Sequence, residues 1–293
     1  MGFLQKWAKR IRKRAATHGY VCDSCGAEVF EYPSRRLCAV CEGKMRPNTA
    51  KTCEKCGRQT VTEGVCLLCK QKLPAFTRGF SPFVYRGLSA ALVNRIKNGK
   101  RRLAYYFAEK MAEYWIEKYP NVERFAIPMS ALNAESDEKT DAETLLILPV
   151  PMTEKGVKER GFNQASELAE ILVEALQEKG YAAELDVQTL QKRKETSPQK
   201  KMSFFERAEN IAGAYHVHKR ALCRDRTILL VDDIMTTGAT GNECAERLLG
   251  AGAKEVILHG PYPYFFTAIL VGVWERARIA HSVYHCNWES IIF

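Results

Sequence analysis

Residues 227–241 read Thr-Ile-Leu-Leu-Val-Asp-Asp-Ile-Met-Thr-Thr-Gly-Ala-Thr-Gly. Residues 228–231 form an uninterrupted apolar run, which is typical of a strand buried on both faces of a parallel sheet. A small, hydroxyl-rich turn follows, and an amphipathic helix begins after it and stops at Gly250 and Gly252. Residues 255–258 are predicted to form the next strand, so the sequence predicts a βαβ unit.

Polar groups follow the first of these strands at its carboxyl end, where open α/β sheets bind ligands. Asp232 and Asp233 can accept hydrogen bonds from vicinal hydroxyls or face Mg²⁺ through water. Backbone N–H groups and Thr hydroxyls of the turn form an anion site at a helix N-terminus. Together they suit a ribose 5-phosphate. A Walker B strand also ends in Asp, but the chain contains no G-x-x-x-x-G-K-[ST] motif, which argues against a P-loop NTPase.

The net charge of +10 is unevenly distributed. Residues 1–80 carry 16 Lys and Arg against 6 Asp and Glu, whereas residues 81–293 carry 28 of each class. Two Zn²⁺ ions held by eight thiolates would still leave about +6 in the N-terminal part. This excess favours a polyanionic partner.

The length of 293 residues allows one medium α/β domain and a smaller module. The longest apolar candidate, 265–274, is about half of a membrane span. The basic N-terminus lacks the apolar core of a secretory signal, so we expect a cytoplasmic protein without a transmembrane segment. Residues 3–15 are predicted to form a basic amphipathic helix. Residues 1–15 thus suit contact with a membrane surface or a nucleic acid, or docking on the rest of the chain.

Four Cys-x-x-Cys pairs precede residue 70. In a chain without a secretion signal, such pairs indicate metal ligation rather than disulfides. Each set of four thiolates suits tetrahedral Zn²⁺ with no open position, which indicates two structural sites. Sequential pairing of the sets is the simplest arrangement, and crossed pairing is the alternative. The predicted ligands are Cys22, Cys25, Cys38, Cys41, Cys53, Cys56, Cys66 and Cys69.

The middle of the chain alternates between helix and strand patterns. Apolar spacings of three and four predict helices over 86–97 and 103–118, joined by a basic turn. An acidic stretch over 133–143 is typical of a solvated insertion loop. Residues 145–148 are predicted to form a second buried strand.

Two basic segments are further candidates for anion binding. A glycine-containing basic loop is predicted over 155–164, before a helix over 165–178, and Arg160 offers a bidentate fork for phosphate. A surface charge is the alternative for Arg160. Residues 191–210 are long, basic and irregular, which suits either a mobile lid over a pyrophosphate or a plain exposed loop.

Residues 231–240 closely resemble the 5-phosphoribosyl pyrophosphate (PRPP) motif of type I phosphoribosyltransferases. The order of motifs from about residue 53 to residue 258 resembles that of the ComF family of competence proteins. The motifs that carry this second resemblance are the second Cys set, 85–87, 149–151, 160–164, Gln199 with Arg207 and Asn210, and 232–240.

The resemblance implies a Rossmann-like type I phosphoribosyltransferase domain, an α/β fold with a mostly parallel sheet and flanking helices. A small zinc-ribbon-type Cys-rich module precedes it. The expected boundaries are a basic N-terminal helix over 1–20, the zinc module over 21–75, the phosphoribosyltransferase-like domain over 76–260, and an aromatic extension over 261–293.

The resemblance also implies roles for individual residues. The acidic pair would hold the ribose hydroxyls, the turn would bind the 5-phosphate, and Mg²⁺ would be bound with the PRPP pyrophosphate. The PRPP-binding residues would be Asp232, Asp233, Thr236, Thr237, Gly238, Ala239 and Thr240. The pyrophosphate loop would include Pro151, Arg160, Gly161, Asn163 and Gln164, and the flexible loop would include Gln199, Lys200, Lys201 and Arg207.

Two classes of function follow as hypotheses. The first is PRPP binding in DNA uptake for natural transformation, with phosphoribosyl transfer to an unknown acceptor as its enzymatic form. The second is a competence factor that binds single-stranded DNA or a helicase through the zinc module, with a non-catalytic phosphoribosyl fold. Glutamine amidotransferase activity is not expected, because no segment fits a separate glutaminase domain.

Overall fold

The computed structural model describes residues 20–128, 142–194, 210–233 and 238–262. Several sequence predictions fall on residues outside these ranges. They are the N-terminal helix, the acidic insertion up to residue 141, Gln199, Lys200, Lys201, Arg207, Thr236, Thr237 and the tail from residue 263.

A five-stranded sheet with the order β1-β7-β6-β2-β3 forms the centre of the protein, and every neighbouring pair in it is parallel. A separate antiparallel ribbon joins β4 to β5. The strands are β1 (Arg78–Phe80), β2 (Leu145–Pro149), β3 (Ala183–Leu185), β4 (Leu190–Lys192), β5 (Tyr215–Val217), β6 (Thr227–Val231) and β7 (Glu255–His259).

Helices flank the sheet on both faces. The longest ones match the predicted spans to within a residue or two. The helices are α1 (Ala39–Gly43), α2 (Leu67–Gln71), α3 (Gly87–Lys97), α4 (Leu103–Lys118), α5 (Glu154–Arg160), α6 (Gln164–Glu178), α7 (Arg220–Cys223) and α8 (Ala239–Leu249), with a 3₁₀ turn at Val122–Phe125. The α/β class with a mostly parallel sheet is therefore confirmed.

The central strands are buried on both faces, as their apolar runs predict. Every residue of β2 and β6 is buried. Odd-numbered apolar side chains of β2, β6 and β7 pack with α3, α4 and α6, and even-numbered ones pack with α8. The sheet is thus the middle layer of three, because the pleat sends successive side chains to opposite faces.

Helix α4 shows how the 3.6-residue period builds one of these layers. Leu103, Phe107, Met111 and Trp115 recur at every fourth position, and each is at most 1% exposed. Side chains four apart lie on one helix face, so this face packs against α6 and the odd-numbered side of the sheet.

The prediction of a loop over 155–164 is wrong for most of this segment, which is helical. Glu154–Arg160 is a helix, and the Thr153 hydroxyl caps it by accepting a hydrogen bond from the Gly156 N–H at 3.2 Å. Gly161 ends it in the left-handed region, with φ of 81°. The glycines indicated a loop, but a Thr N-cap before Glu-Lys and a C-terminal glycine are themselves helix signals.

The Cys-rich part shares the hydrophobic cores of the sheet domain. Leu37 and Met45 pack into the core that contains α3 and α4, whereas Cys53 and Phe76 belong to the core on the α8 side. At the other end, Tyr262 is fully buried. The domain boundaries given above stay predictions, since burial alone does not define them.

Within the described ranges, every helix is too short or too polar to traverse a lipid bilayer.

Candidate functional site

The acidic pair lies at the carboxyl end of β6, in the middle of the sheet. The Asp232 N–H donates to the His259 carbonyl at 3.0 Å, which continues the pairing of β6 with β7 by one residue. The Asp233 N–H donates to Asp232 Oδ1 at 2.8 Å. These bonds hold both carboxylates at the edge where the strands end, as the sequence predicts.

Lys97, the last residue of α3, contacts this pair. Its Nζ lies 3.1 Å from Asp233 Oδ2, and both side chains are partly exposed. Sequence reasoning did not include Lys97 in the site. The signal was present as the start of a basic turn, but nothing in the sequence shows that this turn reaches β6.

The environment of Asp232 is unfavourable for a charged carboxylate. Burial raises the pKa of Asp232 to about 8, and repulsion from Asp233 adds to the rise while Lys97 opposes it. A carboxyl group in such a place gains most from a ligand that brings hydroxyl donors or a cation.

Helix α8 begins after Gly238, its N-cap residue, whose φ is 67°. Ala239 and Thr240 lie in the first turn of the helix, and the N-terminal end of a helix is the end that suits an anion. Gly241 lets the helix approach β7: a Cβ atom there would lie 2.5 Å from Leu258 Cδ2. Close packing thus fixes the helix start beside the acidic pair.

The segment after β2 lies next to the acidic pair. Pro149 pairs with Val231, and the Val150 N–H donates to the Val231 carbonyl at 2.8 Å. Asn163 closes this segment, because its Nδ2 donates to the Val150 carbonyl at 3.1 Å while its Oδ1 caps α6. The structure therefore brings the ends of β2 and β6 together.

The other predicted pyrophosphate residues differ in accessibility. Pro151 is partly buried, and Gly161 and Arg160 are exposed at the end of α5. Gln164 is 1% exposed, and among the described residues its Nε2 has no hydrogen-bond partner. Their role in pyrophosphate binding stays a prediction.

The ribbon of β4 and β5 brackets the segment that contains the predicted flexible loop. The Arg193 N–H donates to the Ala214 carbonyl at 2.9 Å and closes the base of this segment. The Gly213 N–H donates to Glu243 Oε1, also at 2.9 Å. The base is therefore attached to α8, the helix that begins at the acidic pair.

His259 is a buried histidine near the pair. Its ring nitrogens lie 3.0 Å from the Phe80 carbonyl oxygen and 2.9 Å from the Met111 carbonyl oxygen. The ring is fully buried among these backbone groups, so its link to Asp232 is the backbone hydrogen bond described above.

The eight predicted zinc ligands form two clusters, and the pairing is sequential. Within each cluster the four Sγ atoms lie within 4.8 Å of one another. Sγ–Sγ distances of 3.7 Å (Cys25 to Cys38) and 3.8 Å (Cys56 to Cys66) match the edge of a tetrahedron with Zn–S bonds of about 2.3 Å, which is about 3.8 Å. The donor set and its dimensions fit Zn²⁺. The clusters comprise Cys22, Cys25, Cys38 and Cys41, and Cys53, Cys56, Cys66 and Cys69.

The two clusters are built by one repeated unit. In each, the fourth residue of the first Cys-x-x-Cys is followed by a glycine with positive φ, Gly26 and Gly57. In each, the backbone N–H of the third cysteine, Cys38 or Cys66, donates to the Sγ of the first at 3.2 Å. That third cysteine is also the N-cap residue of a short helix, α1 or α2. By contrast, Cys223 and Cys244 lie outside the clusters and are fully buried among apolar residues.

Comparison with known proteins gives a consistent result. The family described as "Phosphoribosyl transferase domain" matches residues 156–262. Competence protein ComFC of Bacillus subtilis (strain 168) is 23% identical over 227 residues, which cover 75% of this chain and 80% of that protein. DNA utilization protein YhgH of Salmonella typhimurium is 26% identical over 221 residues, which cover 75% of this chain and 87% of that protein.

Further similarities were found in sequence and in structure. YhgH of Escherichia coli O157:H7 is 26% identical over 222 residues, covering 75% of this chain and 87% of that protein. A solved structure, hypoxanthine-guanine phosphoribosyltransferase from Schistosoma mansoni in complex with IMP, aligns over 54% of each chain with 17% identity and a TM-score of 0.27. The chain thus spans about half the length of that enzyme.

The domain match covers a large part of the site. It includes residues 156–262, with the acidic pair and α8. The relatives extend the similarity over three quarters of the chain. The chain is therefore similar to ComFC and YhgH over three quarters of its length, and residues 156–262 match the phosphoribosyl transferase domain family.

Proposed function

We propose that this protein binds PRPP, or a related ribose 5-phosphate ligand, together with Mg²⁺ at the carboxyl edge of its sheet. The observation that carries the proposal is the position of Asp232 and Asp233 between the start of α8 and the segment after β2. This places hydroxyl acceptors beside two backbone segments that suit phosphate groups.

The charges around the pair support a polyanionic ligand. Lys97 is within ion-pair distance of Asp233, and Arg160 is exposed on the helix that follows β2. In this proposal the acidic pair accepts hydrogen bonds from the ribose hydroxyls, and the N-terminus of α8 binds the 5-phosphate. Lys97 and Arg160 face the pyrophosphate.

Mg²⁺ fits the same arrangement. Carboxylate oxygens, directly or through water, are ligands that Mg²⁺ accepts, and it usually reaches the protein together with substrate phosphates. When bound, the ion would neutralise part of the pyrophosphate charge. The residues that would face it are Asp232 and Asp233.

The enzymatic form of the proposal is phosphoribosyl transfer to an acceptor, with pyrophosphate as leaving group. Here the contribution of the chain would be positioning of the ligand and stabilisation of its charge. The biological role we propose is DNA uptake, which the names of the relatives ComFC and YhgH support. In this proposal the protein acts in the cytoplasm.

Calorimetric titration of the zinc-loaded protein with PRPP and Mg²⁺ tests the proposal. We expect binding by the wild type and its loss in the Asp232→Asn/Asp233→Asn variant. Asp225→Asn is a matched control, since Asp225 lies on a turn at the opposite, amino end of β6. Absence of binding in the wild type would refute the proposal. If the wild type binds, an assay of pyrophosphate release with candidate acceptors distinguishes binding alone from phosphoribosyl transfer.

A second candidate function is binding of single-stranded DNA through the basic N-terminal part, with the phosphoribosyl fold in a non-catalytic role and a competence helicase as a further partner. The charge distribution favours this function and also indicates which segment would bind the DNA. Residues 20–80 carry 10 Lys and Arg against 6 Asp and Glu, and two zinc-tetrathiolate sites would remove that excess of four. The remaining excess comes from residues 6–14, which carry six Lys and Arg and no acidic residue.

This candidate is tested by single-strand binding at several salt concentrations. We expect a steep decrease of affinity with salt, because Lys and Arg displace counterions from phosphates. Replacing the six cations of residues 6–14 with Gln should flatten the dependence. Full retention of binding in that variant would argue against the basic segment, and it would leave the PRPP proposal unaffected.

A further inference from the structure

The first Cys₄ unit, residues 21–45, contacts the helix that carries Lys97. Arg95 Nη1 donates to the Ser24 carbonyl at 2.8 Å. Ser24 lies between the ligand cysteines Cys22 and Cys25, so the contact is made by the metal-binding turn itself. It reaches α3 two residues before Lys97.

A buried carboxylate in the same turn contacts the next helix. The Asp23 side chain is 1% exposed, and its oxygens lie 3.4 Å from Arg36 Nη1 and 3.6 Å from Arg102 Nη1. Arg102 is the N-cap residue of α4. Buried charges are stable only when they are paired, so Asp23 links the metal-binding turn to the start of α4.

Arg36 completes this link from within the first unit. It is 3% exposed, and its guanidinium lies 4.4 Å from the ring centre of Tyr105 on α4. Its Nη1 also donates to the Tyr32 hydroxyl at 3.0 Å. The charged cluster is therefore packed between aromatic rings of the unit and of the helix.

These contacts hold the turn between α3 and α4 from both sides, at Arg95 and at Arg102. The turn in between faces the candidate ligand site. Lys97 pairs with Asp233, and Arg101 forms an ion pair with Glu167 on α6 while its guanidinium lies 5.0 Å from the Phe162 ring centre. The turn is thus clamped between the first metal-binding turn and the phosphoribosyl site.

The second Cys₄ unit, residues 52–72, uses the equivalent position in another way. The Lys55 carbonyl, which corresponds to that of Ser24, accepts a hydrogen bond from the Gly79 N–H on β1 at 2.6 Å. Glu54, which corresponds to Asp23, is exposed. Glu54 is therefore a control position. It lies at the same sequence spacing from its cysteines as Asp23, but its unit contacts the edge strand β1 instead of the α3–α4 turn.

We propose that Asp23 is a positioning residue of the phosphoribosyl site: through Arg102 and the first metal-binding turn, it holds the α3–α4 turn so that Lys97 lies on Asp233. The inference rests on the proposed function, because it assigns a regulating role to the first Cys₄ unit at that same site. Occupancy of the first metal site then controls affinity at the acidic pair, and occupancy of the second does not.

The test compares Asp23→Asn with Glu54→Gln by PRPP·Mg²⁺ titration at equal zinc content. We expect affinity about tenfold lower for Asp23→Asn and unchanged for Glu54→Gln. If Asp23 acts through Lys97, Asp23→Asn should cause no further loss in the Lys97→Met background. Additive losses of affinity in the Asp23→Asn/Lys97→Met double variant would overturn the proposal. Equal losses in Asp23→Asn and Glu54→Gln would overturn it as well.

Hydrogen exchange of the amides of residues 98–103 is a second readout that needs no ligand. We expect faster exchange in Asp23→Asn than in the wild type and Glu54→Gln. If the Asp23→Asn variant loses zinc, the Arg102→Gln variant is used in its place. In that variant Asp23 keeps Arg36 as its partner. Unchanged exchange in zinc-loaded protein refutes the positioning role, whereas failure of the wild type to bind PRPP refutes only the proposed function.

Discussion

Lys97 Nζ lies 3.1 Å from Asp233 Oδ2, and this ion pair joins the end of α3 to the end of the central strand β6. A lysine at this point lowers the repulsion between two adjacent carboxylates. In the proposed function, Lys97 also faces the pyrophosphate of the ligand. The same lysine therefore stabilises the carboxylates of the ligand-free protein and, in the proposed function, contributes to ligand binding.

Replacing Lys97 by Met is expected to weaken PRPP·Mg²⁺ binding about tenfold, or about 1.4 kcal/mol, because a cation facing the ligand is lost. The free energy of unfolding should change by less than about 1 kcal/mol, since the pair is partly exposed. Calorimetry and urea unfolding measure the two effects. Lys100→Met, in the exposed part of the same turn, is the control, and an equal loss of affinity there would contradict a specific role for Lys97.

The raised pKa of Asp232 predicts a pH dependence of stability. Its value of about 8 lies above the unfolded value of about 3.9. The native state therefore binds more protons than the unfolded chain between these values, and the stabilisation is complete below about pH 4 and lost as pH rises to 8.

Asp232→Asn should remove this dependence, because the amide does not titrate. We expect the variant to gain stability relative to the wild type as pH increases from 5 to 8.5, although it no longer binds the ligand. Urea unfolding of zinc-loaded protein at these pH values tests it, with Asp225→Asn as control. Parallel pH profiles for the wild type and Asp232→Asn would contradict the prediction.

The contact between Gly241 and Leu258 predicts a packing effect. The Cβ of Gly241→Ala would lie 2.5 Å from Leu258 Cδ2, and Leu258 is 1% exposed, so its side chain would have to shift within a packed core. Overpacking should therefore destabilise the protein by about 1–3 kcal/mol. Gly43→Ala is the control, since nothing lies within 4 Å of a Cβ there. Denaturant midpoints measure both, and a neutral Gly241→Ala would mean that α8 is not packed this closely on β7.

The two metal clusters predict two zinc ions per chain, each bound independently. Cys41→Ser and Cys69→Ser should each lower the zinc content from two to one, because the units pack on opposite faces of the sheet. Cys244→Ala, at a buried cysteine outside the clusters, should retain both ions. Metal analysis after gel filtration gives the counts. Loss of both ions in either serine variant would show that the sites are coupled.

The sequence alone determined the class of fold and the core of the site. Apolar runs fixed β2 and β6, because strands buried on both faces need apolar residues at every position. The four-residue spacing of α4 and the cysteine spacing were equally local signals. The acidic pair followed from its strand, since the residue after a strand must lie at the edge of the sheet.

Only the tertiary structure decided which distant residues meet at that edge. Nothing local in α3 indicates that Lys97 reaches Asp233, or that Asp23 is buried against Arg102. Similarly, the repeat of the Cys₄ unit is visible in the sequence, but its two docking surfaces are not. Contacts of this kind depend on how separate elements pack, and packing is set by the whole core rather than by the pattern within any one segment.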